Sequence, residues 1–274
     1  MTRRPTERSL ALPHGVTLMT YSAGSGLPLL FLPGSSADFR LRGPVFQSAL
    51  IDHFQVVTFE HRGLGRSSGP ESPWTMSHFA LDALAVLDAY KIPCAAVIGE
   101  SFGAMVAQVL LSIAPERIAQ TALCGGSAGG KAGQSLAFER LMGLAAEERA
   151  QIYLLHLNAK NADIQRSAPD RFAEMVKTRC AFEGAFLGGL CQPNGYAKLL
   201  EARAQHDSAE ALGMVRKDGV LILGGEEDRI APPENQRALQ ACLPGSLLKM
   251  FPGGHDFLFA APEPIAWILA QWHG

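Results

Sequence analysis

The chain lacks the means for a disulfide frame. Its 274 residues include five cysteines, Cys94, Cys124, Cys180, Cys191 and Cys242, an odd count with no C-x-x-C spacing. They read as buried or free thiols rather than as a zinc or redox site. An excess of one charge is also missing: 24 Lys and Arg against 26 Asp and Glu leave a formal charge of −2. Binding to nucleic-acid phosphates needs a basic stripe; none is present, so no nucleic-acid partner is expected. No apolar run reaches the roughly 18 residues that span a bilayer, so no membrane partner is expected either. Residues 1–8 carry three arginines with no apolar segment behind them. That is not a secretory signal, and the default expectation is a cytoplasmic protein. The phosphate loop G-x-x-x-x-G-K-[ST] and the zinc helix His-Glu-x-x-His are both absent, and Gly24-Ser25-Gly26 is too short for a dinucleotide loop. Neither a cofactor nor a metal is expected.

What is present is a folded composition, 47% hydrophobic and only 18% charged. Short apolar runs recur at 29–32, 56–59, 94–98, 118–124, 220–223 and 247–251. They are nearly continuous rather than alternating, which suggests strands buried on both faces of a parallel sheet. Before them, 9–12 and 16–21 flank Pro13-His14-Gly15 and predict an antiparallel hairpin. Helices are predicted at 77–90, at 102–114 and from Pro232-Pro233 to about Cys242. In the second, Phe102, Met105, Val106, Val109, Leu110 and Ile113 form one apolar stripe, and Pro115 ends it. A final helix over 265–272 would pack on the sheet. Between Gly125 and Gly213 the rhythm breaks. Helical patches at 136–144, 147–157, 171–182 and 196–204 occur with no convincing strand. The division expected is a core of residues 1–125 and 214–274 with a helical cap of residues 126–213.

Three segments match Gly-x-Ser-x-Gly, centred on Ser67, Ser101 and Ser127. A nucleophile elbow needs a buried strand immediately before the serine and a helix immediately after it. The Ser67 match runs into Pro70. The Ser127 match continues Gly129-Gly130-Lys131-Ala132-Gly133, which delays any helix. Only Ser101 has both flanks. A serine hydroxyl is a weak nucleophile that needs a base and an orienting acid. Acids follow the strand at 220–223 as Glu226, Glu227 and Asp228. A histidine, His255, follows the last strand, with Asp256 beside it.

With these motifs in order the sequence resembles the α/β-hydrolase superfamily, over nearly the whole chain apart from the cap. Leu32-Pro33-Gly34-Ser35-Ser36 is similar to the family's His-Gly-x oxyanion turn, with Pro33 in place of the histidine. Glu60-His61-Arg62-Gly63-Leu64-Gly65-Arg66-Ser67 is similar to the Asp-x-Arg-Gly-x-Gly-x-Ser loop, with Glu60 in place of Asp. The elbow at Ser101 and the late loops at Gly225-Glu226-Glu227-Asp228 and Gly253-Gly254-His255 complete the match. The resemblance implies an α/β fold with a mostly parallel eight-stranded sheet and an inserted helical cap. It implies Ser101 as nucleophile, His255 as general base and acid, and Asp228, by its spacing to Pro232, as the orienting carboxylate in preference to Glu226, Glu227 or Asp256. The segment after 118–124 offers no carboxylate before Glu139. Oxyanion donors are expected at the backbone amides of Phe102 and Ser35, with Ser36 as the alternative.

The activity so implied is hydrolysis of a carboxylic ester, lactone or thioester through an acyl-enzyme, with a small-molecule acyl substrate as partner. Carbon–carbon bond hydrolysis, acyl transfer and perhydrolysis use the same three residues and stay open, as does a non-catalytic receptor on the same fold. Homodimer contact through Trp272 stays open too. His61, Arg62 and Glu100 read as structural or supporting groups, and His156 and His206 as helix-surface residues of the cap. The cap's apolar residues, Phe138, Leu155, Phe172, Phe182 and Phe186 among them, suggest an apolar pocket and a mostly uncharged substrate.

Overall fold

Eight strands form one sheet in the order β1-β2-β4-β3-β5-β6-β7-β8. They are β1 (Thr6–Leu12), β2 (Val16–Ala23), β3 (Leu27–Leu32), β4 (Phe54–Phe59), β5 (Ala95–Glu100), β6 (Ile118–Cys124), β7 (Leu221–Gly225) and β8 (Leu247–Phe251). The structure, a computed structural model, describes residues 4–41, 43–215 and 218–273; the start of the arginine-bearing segment, residues 1–3, lies outside them. β1 pairs with β2, and β2 with β4, antiparallel. Every other pairing is parallel. This is the mostly parallel eight-stranded sheet that the sequence led us to expect.

Strand periodicity divides the core between the two faces. Leu30, Leu32, Val57, Val97, Leu123 and Ile222 join the cluster on one face. Leu29, Phe31, Val56, Ile98, Ala122 and Leu223 join the cluster on the other. The first face is covered by α1 (Met76–Ala89) and α2 (Phe102–Ile113), which supply Phe79, Ala83, Val86, Phe102, Val106 and Leu110. The second is covered by the C-terminal helix, which brings Ile265 and Ile268, with Trp272 set edge-on to Phe54 at 5.9 Å.

Among the described residues no strand interrupts the segment between β6 and β7. It holds α3 (Ala146–Leu157), α4 (Asn161–Ser167), α5 (Pro169–Gly188), α6 (Gly195–Ala204) and α7 (Ala209–Met214). α3, α4 and α5 pack on one another around a small core of their own, Ala150, Leu154, Phe172 and Val176. The two ends of the segment instead lie on the sheet domain. Ser208 donates its amide to Ala128 O (2.8 Å) and its hydroxyl to Gln108 Oε1 of α2 (2.6 Å), and Gly129 bridges Asp207. After β7 comes α8 (Pro233–Cys242), followed by β8 and α9 (Glu263–His273).

The loop after β4 is anchored by charge. Arg62 donates two hydrogen bonds, both 2.7 Å, to the carboxylate of Asp82 on α1, and both side chains are buried. Glu60 accepts from the Tyr21 hydroxyl and from the Arg66 amide, each at 2.6 Å. Removing one member of a buried pair leaves the other charge stranded. Arg62→Ala is therefore expected to cost about 3–5 kcal/mol in urea denaturation. Arg166→Ala, at the exposed pair with Asp163, should cost at most about 1 kcal/mol. Equal small losses at both sites would refute this account of the loop.

Candidate active site

β5 runs directly into Ser101, and α2 begins at the next residue. Ser101 has φ 54° and ψ −114°, in the left-handed half of the map that a non-glycine residue occupies only when its surroundings impose it. Its amide donates to Cys124 O of β6 (2.7 Å), and its carbonyl accepts from the amide of Ala104 (3.0 Å). The reversal needs α2 to pass close over β3. A Cβ at Gly103 would stand 1.9 Å from Leu32 O, so no other residue fits.

His255 lies just beyond β8 and Asp228 just beyond β7. His255 Nε2 is 2.8 Å from Ser101 Oγ, and Nδ1 is 2.7 Å from Asp228 Oδ2. The other oxygen of Asp228 accepts the amides of Ile230 (2.7 Å) and Ala231 (2.9 Å). An ionised carboxylate can only accept, so Nδ1 carries the proton and Nε2 is left to accept one from the serine. Burial alone would lower the His255 pKa. The charge and hydrogen bond of Asp228, with Glu100 behind them, outweigh burial and hold it above the ordinary 6.5.

The turn Pro33-Gly34-Ser35 borders the serine; a Cβ on Gly34 would stand 3.6 Å from Ser101 Cβ. Among the described residues the amides of Ser35 and Phe102 find no acceptor within the protein. His61 sits behind this turn. It is wholly buried, edge-on to Phe102 at 5.0 Å, and its Nε2–H donates to Pro33 O (3.0 Å). Burial drives its pKa down to about 4, so it is a neutral brace.

The two late loops are also gripped from above. The final carbonyls of a helix have no partner within it. Those of α3 are used here: His156 O accepts the amide of Arg229 (2.9 Å) and Leu157 O accepts the amide of His255 itself (2.7 Å). The amide of Ala159 returns a bond to Glu227 O (2.8 Å), and Lys160 pairs with the Glu227 carboxylate. The approach is close enough that a Cβ at Gly254 would lie 2.0 Å from Leu157 O.

A model described as the alpha/beta hydrolase family matches residues 29–266. The chain belongs to that family. A poly(3-hydroxyalkanoate) depolymerase of Ectopseudomonas oleovorans is 27% identical over 89% of this chain and 83% of its own length. Rhodomycin D methylesterase DauP of Streptomyces sp. strain C5 is 37% identical over a shorter stretch, 41% of this chain and 40% of that protein. Among solved structures, a hydrolase from Pseudomonas aeruginosa PA01 superposes with a TM-score of 0.80 at 24% identity, covering 98% of this chain and 99% of that one.

Ser101 and His255 open into a cavity of about 600 Å³. Ser35 and Glu100 line it near the serine, and Phe138, Tyr153, Leu157, Met175, Arg179, Phe182 and Tyr196 line the side toward the inserted helices. That side is less apolar than its composition suggests: Arg171, Glu174, Thr178 and Arg179 of α5 all reach the cavity. Of the apolar residues singled out from the sequence, Phe138 and Phe182 face the cavity, whereas Phe172 and Phe186 are buried in packing and Leu155 lies against the small helical core.

The other sequence candidates fall elsewhere. Neither Ser67 nor Ser127 lines the Ser101 cavity; Ser67 Oγ accepts the Met19 amide (2.8 Å). Asp256 borders the cavity, but the ring of His255 is bonded to Asp228. Glu227 accepts the amide of Gly253 at 2.5 Å. His156 turns its Nδ1–H onto Ile152 O (2.8 Å). His206 is buried against Gln108 with its pKa lowered to about 4 by burial. Among the described residues no group of three or more His, Cys, Asp and Glu is arranged to hold a metal ion, and no helix is long and apolar enough to cross a membrane. Sequence reasoning read His61 as structural without placing it behind the oxyanion turn, and it missed the grip of α3 on His255 and the cation at Arg179. The Gly-Gly before His255 was the one visible signal of a close approach.

An NMR titration of the His255 ring should give a midpoint above 6.5, and Asp228→Asn should lower it; a wild-type midpoint at or below the ordinary value would contradict the electrostatic account. Gly254→Ala must push the His255 loop off Leu157 O. An ångström-scale shift of a base costs on the order of 100-fold, so labelling of Ser101 by a fluorophosphonate should slow by about that factor while the fold persists by circular dichroism. Unchanged labelling would show that the grip does not position His255.

Proposed function

We propose that this protein is a serine hydrolase that cleaves a carboxylic ester, lactone or thioester. The observation that carries the reading is the unbroken hydrogen-bond path from Ser101 Oγ through the His255 ring to the buried Asp228, opening on a cavity of substrate size. One relative is named as a methylesterase, beside the poly(3-hydroxyalkanoate) depolymerase, and that name favours an ester bond here.

In this mechanism Ser101 Oγ attacks the carbonyl carbon, and its proton passes to His255 Nε2. Asp228 holds the opposite ring nitrogen and offsets the charge of the imidazolium. The negative charge that develops on the carbonyl oxygen is received by the amides of Ser35 and Phe102. Two such donors aimed at an oxyanion are worth several kcal/mol of barrier. Collapse of the intermediate expels the alcohol or thiol, which takes its proton from Nε2, and leaves an acyl-serine. Water then gives a proton to His255, attacks the acyl carbon, and the acid leaves as Ser101 recovers its hydrogen. Residues 1–125 and 214–274 carry the reaction, and the cap of residues 126–213 selects the substrate.

With a series of p-nitrophenyl esters, Ser101→Ala and His255→Ala should each retain at most about a thousandth of the wild-type kcat, in line with the loss of a nucleophile or of its general base. Retained turnover in folded Ser101→Ala would rule the mechanism out.

A further inference from the structure

The cavity above Ser101 contains a cation with which no carboxylate among the described residues forms an ion pair. Arg179 lines it from α5. The guanidinium carbon lies 3.7 Å from the centre of the Tyr153 ring and 5.3 Å from that of Phe182. Stacking of this kind engages the flat face of the guanidinium and leaves the N–H donors at its edge. Its Nε is buried with no hydrogen-bond partner, and among the described residues no carboxylate forms an ion pair with it. A buried donor is ordinarily satisfied, and a charged one more insistently.

The surrounding acids are committed or distant in role. Glu183, one turn along α5, holds Arg149 at 2.8 Å. Glu174 is exposed and faces Lys177 at 3.9 Å. Asp38 is held by three hydrogen bonds from Arg40, one from its amide at 3.0 Å and two from its guanidinium at 2.9 and 2.6 Å. Glu100 and Asp256 also line the cavity, beside Ser101 and His255 respectively. Arg171, exposed on the same helix, adds a second cation to this wall.

We propose that Arg179 is the recognition site for a carboxylate carried by the substrate away from the bond that is cleaved, so that the preferred substrates are esters or lactones bearing a free acid. This rests on the hydrolase reading for the cleavage, but not for the binding. A guanidinium edge matches the two oxygens of a carboxylate. The acids beside Ser101 and His255 oppose a dianion such as phosphate, and a single negative charge suits the half-buried, stacked guanidinium of Arg179.

The test uses mono-p-nitrophenyl esters of straight-chain dicarboxylic acids, from succinate to sebacate, each beside the same compound with its free acid methylated. At the optimum length the free-acid form should be favoured in kcat/KM by about 10- to 100-fold, the range of a hydrogen bond to a charged partner. Arg179→Gln should erase that preference through KM, with rates on the methylated compounds held within about twofold; Arg179→Lys should keep part of it. In parallel, calorimetric titration with the free diacid and its diamide, neither of which is turned over, should show tighter binding of the diacid that Arg179→Gln abolishes. Equal turnover of acid and methylated forms at every length would overturn the proposal and leave the hydrolase reading standing. Diacid binding through Arg179 with no ester hydrolysed would do the reverse. Equal affinity for diacid and diamide would overturn the carboxylate site on its own.

Discussion

Ser101 is held at φ 54°, and a non-glycine residue in such a conformation carries strain of order 1–3 kcal/mol. Such a geometry persists only when its neighbours leave no alternative. Here β6 fixes the amide from one side and the first turn of α2 fixes the carbonyl from the other. The close passage of α2 over Leu32 O prevents the turn from relaxing. Strain and packing together lift the hydroxyl out of the sheet and point it at His255. Everything else in the site is placed relative to that one turn.

The two other members of the path come from loops far along the chain, and each is held by backbone groups. Asp228 is fixed by amides of its own turn, and His255 by a carbonyl of α3. The helices inserted between β6 and β7 therefore do more than roof the cavity. The last carbonyls of α3 are part of the support on which the His255 ring stands. Cover and site form one mechanical unit at this end, whereas the wall around Arg179 belongs to helices that pack mainly on each other.

Three histidines show how environment, not residue type, decides function. Among the described residues no carboxylate hydrogen-bonds to the ring of His61 or His206, and burial takes both down to about 4, outweighing the charge of Asp207 beside His206. They stay neutral and act as struts, His61 behind the oxyanion turn and His206 on Gln108. His255 is largely enclosed but opens on the cavity, and Asp228 reverses the direction of its shift. A histidine placed between a carboxylate and a hydroxyl can take and return a proton near neutral pH; the other two cannot.

The sequence by itself determined the strand order of burial, the elbow and the late loops. Each rests on local rules: continuous apolar runs for doubly covered strands, glycines at fixed offsets around Ser101, and acids or histidine directly after a strand. Expected strands fell within a few residues of those found; β5, for example, runs on to Glu100. Only the tertiary structure decided which of Phe138, Phe172, Phe182 and Phe186 face the cavity, because an apolar side chain suits a core and a pocket wall equally well. Only it revealed the unpaired Arg179 and the grip of Leu157 O on His255. Those depend on where helices far apart in the chain come to lie, and on backbone carbonyls and charge pairings that carry no residue signature of their own.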